Sequence, residues 1–166
     1  MNYIIQIELF RKMLKILRVD KEVESFRFKE YTSRMLNGYS FGEGENIKYK
    51  SEFYIKAFEE YNEKYLINIV YLRNYLVNFI YNNMFPFNEV LSFFDSYMML
   101  IIRVSFIRFY LVGLYLNNKE ENYENIVDFI QVFSKTIEHH KSYLIDSLHY
   151  IKRKEFDNME FAKTIL

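Results

Sequence analysis

The sequence of 166 residues contains no cysteine. Without a thiol, the chain can form no disulfide and cannot hold a metal cluster through thiolates. The absence fits a reducing compartment. The N-terminus also lacks a basic stretch followed by a clean apolar run, so we expect no signal peptide and a cytoplasmic protein.

Proline and glycine are scarce. Pro86 is the only proline, and there are four glycines. Because these residues punctuate secondary structure, their scarcity favours long helices joined by few turns. Hydrophobic residues make up 51% of the chain and charged residues 27%, which is typical of a globular protein. We therefore predict an all-α fold, a single helical domain over residues 1–166 that forms a compact bundle of about six to eight helices.

The sequence also has no excess of basic over acidic residues, or of acidic over basic ones. Lys and Arg together number 22, as do Asp and Glu, which gives a formal net charge of zero. Proteins that bind nucleic acids usually carry a basic surplus or patch, so we expect no nucleic-acid partner. Tryptophan is also missing, but 17 Phe and 16 Tyr residues supply ring surface for a large core.

Apolar residues recur at steps of three or four in the first part of the chain, which predicts helices. The first helix covers residues 3–18. A second runs from an N-cap at Asp20 to a stop at Gly38. A loop that holds three of the four glycines follows over residues 38–47.

The same spacing predicts helices in the rest of the chain. It returns from about residue 48 and continues to Met84, with a break near Asn68 left open, until Pro86 ends it. Beyond the central helix described next, we predict a polar turn over 117–122 with Asn122 as an N-cap. Three further helices follow, over about 126–137, 143–151 and 157–166.

The most hydrophobic segment, about 88–116, is predicted to be the central helix of the bundle. Within it, residues 98–116 form an apolar run long enough to cross a membrane. Arg103 and Arg108 lie inside this run, and each would cost at least about 2.5 kcal/mol near the centre of a bilayer. We therefore favour a buried helix of a soluble bundle over a membrane span.

Charged residues in this helix are candidates for a pocket. Asp95 and Arg103 face broadly the same side, and Arg108 follows. One interpretation is a cationic pocket for a carboxylate or a phosphate. The other, which we favour, is structural: buried arginines pair with a carboxylate elsewhere or lie at the rim of the core.

A second group of polar residues interrupts the apolar helix before Pro86. Tyr75 and Asn78 are candidate pocket residues, and Tyr81, Asn82 and Asn83 follow them. Amide and phenol groups also occur at ordinary helix–helix contacts, and this is the alternative that we favour.

Other motifs indicate no catalytic or metal site. The glycine turn at 42–44 has no strand before it, and its glutamates would repel a phosphate, so we interpret it as a flexible loop. His139, His140 and His149 are not spaced as metal ligands on a helix. We therefore predict no catalytic residue and no metal ligand, and no residue can be assigned to cofactor binding.

Three segments occur together in an order and spacing that resembles a known family. They are YLVNFIYNNMFPF at 75–87, FDSYMMLIIRVSFIRFYLVGL at 94–114 and FSKTIEHHKSYL at 133–144. With the less specific helix IIQIELFRKMLKIL, they resemble the C-terminal helical region of the flagellin lysine-N-methylase family. The similarity covers about residues 1–150 and rests on apolar patterns rather than catalytic motifs.

The resemblance implies methylation of lysine ε-amino groups on flagellin, with S-adenosylmethionine as the methyl donor. Longer members of the family carry an upstream cysteine-rich motif thought to hold an iron–sulfur cluster. This chain has no such motif, so it is either the C-terminal part of a longer protein or a truncated member. We expect it to be inactive alone, with both cofactors held elsewhere, and to have flagellin or a missing N-terminal portion as its partner.

The resemblance favours a domain that shapes the substrate side of the active site or docks flagellin. The aromatic helices over 53–116 are the candidate surface. The residues alone leave open a second hypothesis, a non-enzymatic module for protein interaction or homo-oligomerisation, since no catalytic constellation is visible. A third and weaker hypothesis is a small-ligand pocket around Arg103 and Arg108.

Overall fold

The computed structural model describes residues 3–40, 47–65, 69–87, 92–118, 123–138 and 140–166. Within these ranges every regular element is a helix, and no strand is present. The helices are α1 (Tyr3–Leu17), α2 (Val19–Glu22), α3 (Phe26–Tyr39), α4 (Ile47–Lys64), α5 (Ile69–Asn82), α6 (Phe93–Asn118), α7 (Tyr123–Glu138), α8 (Lys141–Arg153) and α9 (Met159–Ile165). The all-α prediction is confirmed. Since α2 is a single turn, the other eight described helices agree with the predicted number.

Short polar side chains fix the starts of several helices. Ser25 Oγ accepts a hydrogen bond from the Phe28 amide at 3.2 Å and caps α3. The Asn158 side chain accepts from the Phe161 amide at 2.8 Å and caps α9. Such caps satisfy amide groups that have no partner within the helix.

Two predicted boundaries in the first part of the chain are wrong. Asp20 lies inside the single turn α2, and the next long helix is capped by Ser25 instead. Gly38 does not end α3, because the helix continues through Tyr39. The left-handed residue that follows the helix is Ser40, with a φ of 48°.

Some predicted turns fall partly or wholly outside the described residues. The glycine loop was predicted over 38–47, but residues 38 and 39 belong to α3 and α4 begins at Ile47, while 41–46 are not described. Asn117 is not in a turn, because α6 continues to Asn118. The predicted break at Asn68 and the N-cap at Asn122 also lie outside the described residues.

The central helix of the bundle is α6, as predicted. It packs against α3, α4, α7, α8 and α9. Among the described helices it is the one that is long and apolar enough to cross a membrane, and 83% of its most apolar window is buried inside the protein. The neighbouring helices therefore cover the apolar surface of α6. Its described start is Phe93, while residues 88–91 of the predicted segment are outside the description.

Two glycines mark the place where α3 crosses α6. A Cβ atom on Gly38 would overlap the carbonyl oxygen of Gly113. A Cβ atom on Gly113 would lie 2.6 Å from Met35 Cγ and 2.6 Å from Tyr39 Cε2. The absence of both side chains therefore allows the two backbones to approach closely, which explains glycine at these helical positions.

Aromatic rings fill the space around α6. Phe109 lies 4.6 Å from Tyr39 and 4.9 Å from Phe10, measured between ring centroids. Elsewhere on α6, Tyr110 stacks on Phe129 at 5.2 Å. Each such pair contributes about 0.5–1.5 kcal/mol beyond the burial of its area. The many Phe and Tyr residues thus form the core of the bundle.

Buried tyrosine hydroxyls have partners inside the core. Tyr39 Oη donates to the Phe109 carbonyl at 2.6 Å, and the hydroxyls of Tyr110 and Thr32 lie 2.9 Å apart. Burial raises the pKa of Tyr39 and of Tyr110 well above the ordinary value, because a phenolate would lose its hydration there.

We expect this core to make the protein sensitive to alkali. Burial raises the pKa of Tyr31 to about 12, helped by the hydrogen bond from its hydroxyl to the Asp128 carboxylate. The hydrogen bond to Glu60 raises the pKa of Tyr115 to about 12 as well. These folded values exceed the unfolded value of about 10, so the unfolded chain loses its protons first as the pH rises. The tyrosine contribution to stability is therefore fully present below pH 10 and is lost between about pH 10 and 12.

Circular dichroism and phenolate absorbance, recorded together against pH, measure this effect. We expect helix content to fall above about pH 10, with the buried tyrosines ionising in the same transition. Ionisation of nearly all tyrosines near pH 10 with unchanged helix content would contradict the prediction.

Candidate functional site

Among the apolar helices described, α5 is distinguished by the amount of apolar surface that it exposes to solvent. Of its described side chains, only Tyr75 and Phe79 are buried. One side of the helix and the segment after it expose large apolar residues. This α5 apolar face consists of Val70, Val77, Ile80 and Tyr81 on the helix and of Met84 and Phe87 just after it. Exposed apolar residues concentrated in one short segment are typical of an interaction site.

A groove of about 390 Å³ lies between α5 and α7, on another side of α5. Its volume is within the usual range for a ligand site. The walls and floor are formed by Tyr71, Asn74, Tyr75, Asn78, Phe79, Asn82, Val127, Ile130, Gln131, Ser134, Lys135 and Glu138. The α5–α7 groove therefore combines an aromatic floor with amide and charged walls.

Three asparagines form the α5 wall of the groove. Asn74, Asn78 and Asn82 are four residues apart, so they lie on one stripe of the helix at intervals of about 6 Å. All three side chains are exposed. None of their amides makes a hydrogen bond to another residue in the part of the chain that the structure describes.

The α7 wall carries a different set of polar groups. Gln131 and Lys135 are exposed and lie one turn apart. Ser134 Oγ donates a hydrogen bond of 2.5 Å to Glu138 Oε1, which positions the carboxylate at the end of the wall. This wall therefore offers one positive charge, one negative charge and one amide to an occupant.

The structure places the five predicted pocket residues in different surroundings. Tyr75 and Asn78 line the α5–α7 groove. Asp95 does not face Arg103 in an ion pair; its carboxylate accepts from Lys152 Nζ at 2.7 Å. None of Asp95, Arg103 and Arg108 is among the residues that line the groove.

The two arginines of α6 lie against aromatic rings of different helices. The Arg103 guanidinium is buried and lies 4.7 Å from the centroid of the Phe79 ring, below the groove. Arg108 lies 4.7 Å from the Phe58 ring and donates to the carbonyl oxygen of Leu166. Both contacts are cation–π interactions within the fold. The two guanidinium groups therefore lie against rings of different helices, Phe79 of α5 and Phe58 of α4.

Sequence reasoning missed much of the groove. Asn82 was noted among the polar residues that follow Asn78. Asn74 was missed but carries a visible signal, because it continues the same spacing by one turn toward the N-terminus. Gln131 and Glu138 carry no such signal, because α7 follows α5 only after the whole of α6. Only the packing of the helices shows that these two walls face each other.

Two of the three histidines lie in the described part of the chain and have ordinary environments. His140 Nδ1 accepts from the Tyr143 amide at 3.3 Å and caps α8. His149 lies on α8 beside an open cleft with basic walls, where Arg18 pairs with Glu22 at 2.8 Å. Among the described residues no group of three potential ligands could hold a metal ion. His139 lies outside the described residues.

Comparison with known families gives one match. The family model of the FliB lysine N-methylase C-terminal domain matches residues 1–165, almost the whole chain. No curated protein and no solved structure matches the chain.

Proposed function

Because this chain belongs to the FliB lysine N-methylase family, as its C-terminal domain, we propose that it supports protein-lysine methylation by binding the protein substrate. The substrate expected from the family is flagellin. Methyl transfer from S-adenosylmethionine then takes place outside this domain. We place the domain in the cytoplasm, where flagellin is available before export.

The residues of this chain do not fit an iron–sulfur cluster. Such clusters are held by cysteine thiolates, and the sequence has no cysteine. We therefore derive no step of methyl transfer through a cluster in this domain. Substrate binding, in contrast, requires no thiolate, and the domain can contribute it with its own residues.

The open side of α5 carries the proposal. A helix of 14 residues with strong apolar character buries only two of its described side chains. Val77 is 46% exposed and Tyr81 is 79% exposed, which leaves apolar surface that a protein partner would cover. This face lies within the region 53–116 that the aromatic pattern suggested.

Substitution of this face tests the proposal. We expect the chain to bind flagellin in solution, and Val77→Ser with Tyr81→Ser to weaken binding by about tenfold or more, because two anchors of the interface lose apolar area. Ile145→Ser with Met159→Ser is the matched control, since these residues are 53% and 49% exposed on α8 and α9. Isothermal titration calorimetry measures both pairs. The same samples, incubated with S-adenosylmethionine, should show no mass gain on flagellin lysines.

Three outcomes would count against the proposal. Failure of the unsubstituted chain to bind flagellin would remove it. Clear methylation by the isolated chain would show that no further portion of an enzyme is needed. Self-association that Val77→Ser with Tyr81→Ser abolishes, without any flagellin binding, would instead favour a non-enzymatic oligomerisation module.

A further inference from the structure

The α5 wall of the groove has unused hydrogen-bonding capacity in a regular arrangement. A side-chain amide both donates and accepts, which is what the N–H and C=O groups of a peptide main chain require. A lysine only donates and a carboxylate only accepts, so neither could pair with both groups. Asn74, Asn78 and Asn82 are exposed and make no hydrogen bond to any other described residue. Their amides are thus free to pair with an occupant of the groove.

The spacing of these amides matches an extended chain. Four residues of an α-helix rise about 6 Å. In an extended strand, groups that point in the same direction recur every two residues, at about 6.7 Å. Over the two intervals from Asn74 to Asn82, the rise of the helix and the length of the extended segment differ by less than about 2 Å. Rotation of the side chains can absorb this difference. The asparagine stripe spans about 12 Å, so its three amides face every second residue of an extended segment of about five residues.

The floor of the groove suits the side chains of such a segment. Every second side chain of an extended segment points to the same face. Here that face meets the rings of Tyr75 and Phe79 and the side chain of Ile130, all largely buried. The opposite wall adds the charges of Lys135 and Glu138, which balance each other. An occupant therefore needs apolar side chains at alternate positions and no net charge.

We propose that the α5–α7 groove binds an extended polypeptide segment of the protein substrate, with Asn74, Asn78 and Asn82 paired to its main chain. The proposal rests on the proposed function, because it names how part of the substrate is held. Recognition through the main chain tolerates variation of the bound sequence, while the apolar floor selects alternate positions. The substrate would thus make two kinds of contact with this domain: apolar contacts with the α5 apolar face and main-chain hydrogen bonds in the groove.

Backbone-modified peptides test this arrangement. Overlapping peptides that cover flagellin are screened for binding to the full chain by fluorescence anisotropy. The tightest binder is then remade with single N-methyl groups along its main chain. We expect methylation at every second nitrogen across about five residues to weaken binding by about tenfold, because it removes an N–H group that donates a hydrogen bond to an asparagine. Methylation of the intervening nitrogens should cost less than about threefold.

Substitution of the wall gives an independent readout. The combined change Asn74→Ala, Asn78→Ala and Asn82→Ala should weaken binding of the peptide by about tenfold or more. In this variant, N-methylation should have the same small effect at every position of the peptide. Alanine has a higher helix propensity than asparagine, so the variant should keep its fold, which circular dichroism checks. Asn62→Ala, on α4 and outside the groove, is the matched control and should leave binding unchanged.

The outcomes separate this inference from the proposed function. If intact flagellin binds but none of its peptides does, the proposal for the groove is wrong, while the proposed function still holds. A peptide whose binding ignores both N-methylation and the asparagine changes would overturn main-chain pairing. If neither flagellin nor its peptides bind, the proposed function fails, and the groove proposal fails with it.

Discussion

Gly38→Ala is expected to destabilise the fold by about 3 kcal/mol or more, although the residue lies within a helix. The added Cβ would overlap the Gly113 carbonyl oxygen and would lie 2.9 Å from the Asn117 amide nitrogen. Both are backbone atoms of α6, so no flexible side chain can move aside. The two helices must separate, and the aromatic contacts between them weaken. Denaturant unfolding followed by circular dichroism measures the change.

The sign of the effect distinguishes packing from helix propensity. Alanine is about 1 kcal/mol better than glycine inside an exposed helix, so propensity alone predicts stabilisation. Ser33→Ala is the control, since Ser33 is an exposed residue of the same helix and should change stability by less than about 0.5 kcal/mol. A Gly38→Ala variant at least as stable as the parent chain would refute the close crossing of α3 and α6.

Phe109→Ala is expected to cost about 3–5 kcal/mol, because it removes a large buried ring and leaves a cavity. The ring is fully buried and contacts Phe10, Tyr39 and Tyr54 at centroid distances of 4.9, 4.6 and 5.8 Å. These rings come from α1, α3 and α4, so a cavity at this position removes packing between four helices. The free energy of unfolding, measured by denaturant titration, gives the loss.

Phe26→Ala provides the matched control for this prediction. Phe26 is the first residue of α3 and is 78% exposed, so its removal should change stability by no more than about 0.5 kcal/mol. Similar losses for the two phenylalanines would show that Phe109 is not the centre of the aromatic core. A much larger loss for Phe109 is expected.

Periodicity predicted much of the fold because it is a local property. The spacing of Ile126, Phe129 and Phe133 predicted α7, and all three side chains are buried. The same holds for Tyr54, Phe58 and Tyr61 on α4. Helix ends were predicted less well, because they depend on single residues. Ser25 rather than Asp20 caps α3, although both residue types are good caps.

Gly38 shows how a residue type can indicate the wrong role. A glycine near the end of an apolar pattern usually indicates a helix stop. Here the missing side chain serves the contact with α6, a helix that lies far along the chain. No window of sequence around Gly38 contains Gly113, so the sequence alone could not distinguish the two roles.

The candidate site was predicted only in part, for the same reason. Tyr75 and Asn78 were singled out as polar groups in an apolar helix, and both line the groove. Asp95 and Arg103 were considered together because they are eight residues apart on one helix. In the structure Asp95 pairs with Lys152 of α8, and Arg103 lies over Phe79 of α5.

The sequence by itself determined the all-α fold, the apolar central helix and the lack of any thiolate for cluster chemistry. These properties follow from composition and from spacing within single helices, which local physics sets. Only the tertiary structure decided which side chains meet across helices. The glycine crossing, the partners of the charged residues of α6 and the α5–α7 groove all join residues that are distant in sequence, and only the packing of the whole bundle brings them together.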